Sequence, residues 1–543
     1  MSLIGTLARA EAVVAGRAQP LATVRHRHLS RHPLVFVPLT TAGEVGAPLG
    51  ALLGRDREAP SLLVVAQPRD RDLRFDFLAA LATTVIAHMD RYADAVETEP
   101  ATRNREESEV CADAPQIIVP NAAAADYVRL LGRSTRFRRT AEENPDEPYP
   151  VPSRVPLSGR WLTHYGERAR TPGASLLLSM TELLSRHWAT GQSNLEDQHL
   201  GALLGWIDPP EGMTGAEAAR RAETGRGPDG LLLSPPAGPA TDPAFDNTVL
   251  APAMSRFDAA RAAARAAGEE QSGAYRDSKP QIEQAMAHGR HRTAVAATSV
   301  AEAEVRALVE SQLRPAWEDV WRGLDLLRAL PEGGHVEERW KRDRWSYTGH
   351  RDRVRAGEPP QPKRDDAIAA AQKLMGRETA QVRLEAQEAL DDPLVMAGRR
   401  LSGEAFAGEV TDVVMAYSEA KVPRPRPLVT VATADVPHFD ADAKLYRALP
   451  GGKTQEARFV EWPSPGEVTV RLLNGMGRGK VPDEGSVPAA GDRVCWTLFE
   501  HAPRGGPELP DPEDTPWTHG GPPGTAAAPA APAPDPVTVE DFL

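Results

Sequence analysis

From residue 251 to about residue 420 the apolar side chains recur three and four positions apart with little interruption, and this span constrains the fold more than any other feature. The span reads as almost wholly helical, because successive side chains in a strand point to opposite faces and helical spacing would there put charge into the core. The strongest segments are 253–268, 299–330 and 364–390. Stripes such as Val305, Leu308, Leu313, Trp317, Val320, Trp321 and Leu324 predict long helices with a core-facing seam.

The flanking regions have a different period. Residues 34–39 (LVFVPL) and 61–66 (SLLVVA) are short apolar runs bounded by proline, glycine and charge, which reads as buried strands. Phe77, Leu81, Val85 and Met89 then recur at helical spacing, and QIIVP at 116–120 runs into a helix-forming stretch that Asn121 would cap. These elements predict an α/β unit over 1–140 with an acidic linker near 96–110. The stretch 141–157 is too rich in proline and acid for a helix and reads as a linker. SLLLSMTELLSRHW and LEDQHLGALLGWI predict a helical unit over 158–250, ahead of a long-helix region over 251–422. After Pro423 the pattern alternates in LVTVATA, EARFVEW, EVTVRLLN and DRVCWTLF, which predicts a small β-barrel over 423–503. The Pro/Ala-rich acidic tail, 504–543, is expected to be disordered. The fold class is therefore multi-domain α+β: an N-terminal α/β unit, an extended α-helical middle, a small C-terminal β-barrel and a tail.

Composition narrows the chemistry. Cys111 and Cys495 are the two cysteines in 543 residues, too few for a disulfide framework or a four-cysteine zinc site, which fits a reducing, cytoplasmic location. No window approaches the roughly 18 apolar residues of a membrane span, and Arg9 and Glu11 interrupt the opening apolar stretch, so no membrane partner is expected. The formal net charge of −13 argues against a globally basic nucleic-acid coat, although a local patch can still bind phosphate. The first lysine is Lys279, so lysine-dependent chemistry cannot be built in the N-terminal half.

No catalytic motif is complete. PGGKT at 450–454 ends like a phosphate loop, but Arg447 stands where that motif needs its first glycine and a strand pattern follows where a helix should. His26, His28 and His32 lack an acid or cysteine at ligand spacing, so neither a metal nor another cofactor is expected. A nuclease-like acid-x-lysine occurs at Asp277-Ser-Lys279, Glu419-Ala-Lys421 and Asp442-Ala-Lys444; the last has Asp435 and Asp440 nearby. An enzyme in the α/β unit would use Asp70, Asp72, Asp76 or Asn121 at strand ends, because ligands favour such crevices.

The most suggestive stretch interleaves cations and aromatics: Arg339, Lys341, Arg342, Arg344, Trp345, Tyr347, Arg351 and Arg353, with Trp340 among them. Guanidinium groups neutralise phosphates and aromatic faces stack on unpaired bases, so this segment is a candidate DNA- or RNA-binding surface. The competing reading is a helix whose tryptophans anchor it to the core while its arginines pair with Glu337, Glu338, Asp343 and Asp352. Lys453, Arg478 and Lys480 on glycine-rich barrel turns could add backbone contacts. Glu540, Asp541, Phe542 and Leu543 end the tail and could recruit a protein partner. In style this end resembles the acidic, aromatic-tipped tails of bacterial single-strand DNA-binding proteins, although the residues do not match that motif. Long helices feeding a small barrel over roughly 300–503 resemble the stalk and barrel accessory region of some superfamily 1 helicases, without any motor motif. The leading expectation is a non-catalytic accessory protein that binds nucleic acid through the helical segment and the barrel. The alternatives are a hydrolase or metal-dependent nuclease, and an interaction scaffold with no nucleic-acid role.

Overall fold

The apolar runs near residues 34 and 61 are two strands, separated by a third, of one five-stranded mixed sheet in the structure, a computed structural model that describes residues 3–101, 106–236, 238–277, 279–360, 367–438, 440–449, 452–477 and 479–503. The strands are β1 (Leu34–Thr41), β2 (Glu44–Gly54), β3 (Ser61–Val64), β4 (Ile117–Val119) and β5 (Leu177–Ser179). Their order is β3-β2-β1-β4-β5; β1, β4 and β5 run parallel, and β2 is antiparallel to both its neighbours. Strict alternation sends Leu34, Phe36, Leu53, Ile117 and Val119 to one core and Val35, Val37, Leu39, Leu52 and Ile118 to the other.

A sheet buried on both faces needs helices on both. After α1 (Leu3–Ala15), the first face is covered by α2 (Arg71–Asp90), α3 (Ala122–Thr135) and α4 (Arg154–Arg168). The second face takes α5 (Met180–His187), α6 (Leu200–Ile207), the start of α7 (Ala251–Arg276) and the C-terminal half of α8 (Gln281–Arg328). Val305, Val309, Leu313, Trp317, Val320 and Leu324 of α8 are fully buried there, so the predicted stripe is the seam against the sheet. At 48 residues α8 is about 72 Å long, far longer than the sheet is wide. Its N-terminal half lies along α7 as an outlying hairpin, held by Arg256–Glu304 at 2.5 Å and Arg290–Glu270 at 2.6 Å. Helix α9 (Val336–Arg355) returns to the first face, and α10 (Ala367–Asp391) and α11 (Pro393–Leu401) lead to the barrel.

The barrel is closed, with β6 (Ala405–Val414), β7 (Leu428–Ala432), β8 (Lys444–Ala448), β9 (Thr454–Glu461), β10 (Glu467–Leu472) and β11 (Arg493–Thr497) in the order β6-β7-β10-β9-β8-β11. Phe406, Val429, Val431, Leu445, Val468, Val470 and Trp496 fill it. Arg400 ties it to α11 by pairing with Asp435 at 2.7 Å.

The architecture is multi-domain α+β as expected, with three boundaries moved. Strand β5 belongs to the N-terminal sheet, so the α/β unit does not stop at 140, and residues 158–250 are not a separate helical unit. The acidic stretch near 96–110 is a ribbon, not a linker: Val96–Glu99 pairs with Ser108–Cys111. The barrel begins at Ala405 rather than 423, because β6 supplies a strand that the helical reading of 251–422 had absorbed. The tail over 504–543, with Glu540, Asp541, Phe542 and Leu543, lies outside the described residues. Among the described residues no helix is long and apolar enough to cross a membrane.

Candidate nucleic-acid interface

Helix α9 packs its basic-aromatic sequence largely into the protein. Arg339 is buried and donates to Gln387 Oε1 at 2.7 Å and to the His26 carbonyl at 3.0 Å. Trp340 stacks on His28 with centroids 4.0 Å apart and donates to Asp113 at 2.9 Å. Tyr347 is fully buried and its hydroxyl donates to the Met89 carbonyl at 2.6 Å. Arg351, also buried, donates to the Ala93 carbonyl at 2.6 Å and to Cys111 Sγ at 2.9 Å. Buried Asp343 accepts from Arg168 Nε at 2.7 Å and Ser175 N at 2.6 Å, and burial pushes its carboxyl up. Nearer the surface, Lys341 pairs with Glu99 and Arg342 with Glu338, while Arg344 donates to the Ala112 carbonyl and reaches Glu97. Trp345 is half-buried. The anchoring arrangement thus accounts for most of the segment: Arg339, Tyr347 and Arg351 are turned inward, away from any phosphate. Lys453 and Lys480 are exposed on barrel turns, and Arg478 lies outside the described residues.

Arg353, one turn from the end of α9, is different. It lines a cleft of about 520 Å³ walled by α3, α4, the end of α9 and α10. Among the described residues seven cations line it, Arg129, Arg133, Arg136, Arg160, Arg170, Arg353 and Lys373, against two carboxylates, Glu167 and Glu358. Two glycines make the close α3–α4 crossing possible. A Cβ on Gly132 would stand 2.5 Å from Thr163 N, and one on Gly159 would stand 2.6 Å from Arg136 N, so these backbones meet where no other residue fits. That crossing sets the arginines of α3 beside Arg160 and His164 of α4.

The cleft's field is positive and only partly compensated. Burial, reinforced by Arg353 and Arg168, holds His164 down to about 3. Burial, His164, Arg353 and Arg160 hold His350 down to about 2. Burial also lowers Arg160, with Arg353 adding to the effect and Glu358 opposing it, and Arg136 is lowered by burial and by Arg133. His350 sets its edge against Trp161, centroids 4.7 Å apart, and its Nε2 is buried without a hydrogen-bond partner among the described residues. Arg129 is paired with Asp126 at 2.8 Å and Glu167 with Arg170 at 3.6 Å. A second cavity of about 370 Å³ lies beside α10, lined by Arg168, Arg339, Arg342 and Arg383, of which Arg168 and Arg342 are ion-paired and Arg339 is turned inward. The sequence held a signal for this site: Arg129, Arg133 and Arg136 recur at helical spacing on one stripe of α3.

The enzyme candidates are not gathered into a site. Asp70 caps α2 by accepting from Asp72 N and Leu73 N and pairs with Arg261; Asp72 and Asp76 are exposed. Asn121 caps α3 as expected, and its Nδ2 donates to the Gly238 carbonyl at 2.8 Å. The crevice at the β1/β4 switch point is filled by the chain itself: Thr40 N donates to the Pro239 carbonyl at 2.6 Å and Thr241 N to the Thr40 carbonyl at 3.0 Å. Of the histidines near the N-terminus, His26 is buried, His28 stacks on Trp340 and His32 is exposed. Among the described residues no three His, Cys, Asp or Glu side chains are placed to hold a metal ion. No known protein family, curated protein or solved structure matches this chain.

Proposed function

We propose that the chain is a nucleic-acid-binding accessory protein whose α3–α4–α9–α10 cleft holds the phosphate backbone, with the C-terminal tail available to a partner. The observation that carries this reading is the convergence, among the described residues, of seven cations on one cleft with two carboxylates. Crowding like charges around one cleft costs free energy, and an anion with several charges lowers that cost. Arginine forks match phosphate oxygens in pairs, which favours phosphate over a single carboxylate. The neutral His164–His350 pair adds flat aromatic surface to the same walls. The reading keeps Arg353 from the expected surface and replaces the buried arginines of α9 with those of α3 and α4.

The test is fluorescence anisotropy of labelled single-stranded and duplex DNA and RNA across a salt series, for the native chain and an Arg160→Ala, Arg353→Ala variant. Each lost phosphate contact lowers the slope of log K against log salt by about 0.7 on single strands and about 0.9 on duplex. Absence of salt-dependent binding by the native chain at low salt overturns the proposal.

A further inference from the structure

We infer that the outer face of the barrel carries a second anion-binding row, Lys444, Arg458 and Arg471, which takes the backbone of single-stranded nucleic acid laid across the strands. The register places Lys444 of β8 directly opposite Arg458 of β9, and Arg458 directly opposite Arg471 of β10. All three are exposed, on the face opposite the barrel core formed by their neighbours Leu445, Ala457, Val470 and Leu472. None makes a side-chain hydrogen bond or ion pair among the described residues. Like charges directly opposite each other destabilise a sheet, and three in a row do so twice. A polyanion lying across the row converts that repulsion into binding.

The row continues along the same rung into apolar surface: Arg471 faces Leu428 of β7, and Leu428 faces Val414 of β6. Val414 is 50% exposed, and Met415 and Tyr417 follow at 45% and 52%. Five adjacent strands give a track of about 19 Å at roughly 4.8 Å per strand. Cations at one end and apolar and aromatic side chains at the other suit a strand whose bases are unpaired, because a duplex keeps its base faces stacked inside. The row is separate from the barrel turns: Lys453 precedes Arg458 by five residues, about 16 Å along an extended strand.

This inference rests on the nucleic-acid reading of the cleft, and the experiment separates the two. In Arg458→Glu the new carboxylate lies between two cations and gains two cross-strand pairs, so the fold is expected to melt at the same or a higher temperature. The same protein is expected to bind a labelled oligothymidylate roughly tenfold more weakly at 50 mM salt, with a slope lower by about 2 as all three contacts are disturbed. Lys444→Ala, Arg471→Ala is expected to lose about 1.4 in slope. Native-like affinity in both variants, alongside loss in the Arg160→Ala, Arg353→Ala protein, overturns the row and leaves the cleft reading standing. Equal losses on single strand and duplex overturn the single-strand assignment. No salt-dependent binding by the native chain removes both readings.

Discussion

The imidazoles of His164 and His350 stack face to face, with centroids 4.2 Å apart and planes 8° from parallel, inside a cleft lined by seven cations. One ring comes from α4 and the other from α9, so the pair joins two walls of the cleft. Both rings are neutral at physiological pH because burial and neighbouring arginines disfavour a further positive charge.

That neutrality makes stability depend on pH. Unfolded histidines titrate near 6.5, whereas His164 and His350 titrate at about 3 and about 2 in the folded protein. Between those values the unfolded chain binds more protons, so the stability present above pH 6.5 is lost progressively as pH falls toward 3. The melting temperature is expected to drop more steeply between pH 6.5 and 4 for the native protein than for His164→Gln, His350→Gln. Equal slopes by calorimetry would remove the pair from the acid response.

Two arginines of α9, two residues apart, should behave in opposite ways. Arg353 faces the cleft, so Arg353→Ala is expected to weaken nucleic-acid binding and reduce its salt dependence, with a stability change within about 0.5 kcal/mol. Arg351 is buried and donates to the Ala93 carbonyl and Cys111 Sγ. Arg351→Ala strands those acceptors and opens a void, so it is expected to cost about 2–4 kcal/mol in urea unfolding. Binding per folded molecule should then stay close to native.

The contrast shows where the sequence was legible. The stripe from Val305 to Leu324 could be read because one face of one helix has one job, and spacing alone reveals it. On α9 charge and aromaticity looked like a surface, yet backbone carbonyls at His26, Met89 and Ala93 give Arg339, Tyr347 and Arg351 their partners. Those carbonyls are distant in sequence, so no local pattern announces them. Strand β6 was hidden for a different reason. Gly408 interrupts its apolar pattern, and a register shift between Val410 and Asp412 breaks its alternation. Strand β5 is three residues long and fused to α5, so its apolar run reads as helix until β4 is present to pair with it. The cleft needed the α3–α4 crossing, which depends on what Gly132 and Gly159 lack.

Those glycines give the next expectation. Gly159→Val pushes its side chain into Arg136 N and Thr135, so α3 and α4 must separate. Overpacking of this kind costs about 1–3 kcal/mol. The same change is expected to weaken nucleic-acid binding, because it separates the arginines of the two walls. A variant that loses stability and keeps the native salt slope would show that the cleft tolerates a wider spacing.

The segment that fills the sheet's crevice is fastened at Asp246, whose carboxylate accepts from Ala42 N at 2.7 Å and from Thr241 Oγ1 at 2.6 Å. Asp246→Ala removes both bonds and leaves the Ala42 amide without its acceptor, which costs about 1–3 kcal/mol. The loss should be local, because Asn121 still holds the Gly238 carbonyl and Thr40 still pairs with Pro239 and Thr241. Hydrogen exchange is therefore expected to quicken at Ala42, while Thr40, Thr241, β2 and β4 stay protected. Uniform quickening across the sheet would mean that the segment and the sheet open as one unit. In that case Asp246 supports the whole α/β fold and not merely the closure of its crevice.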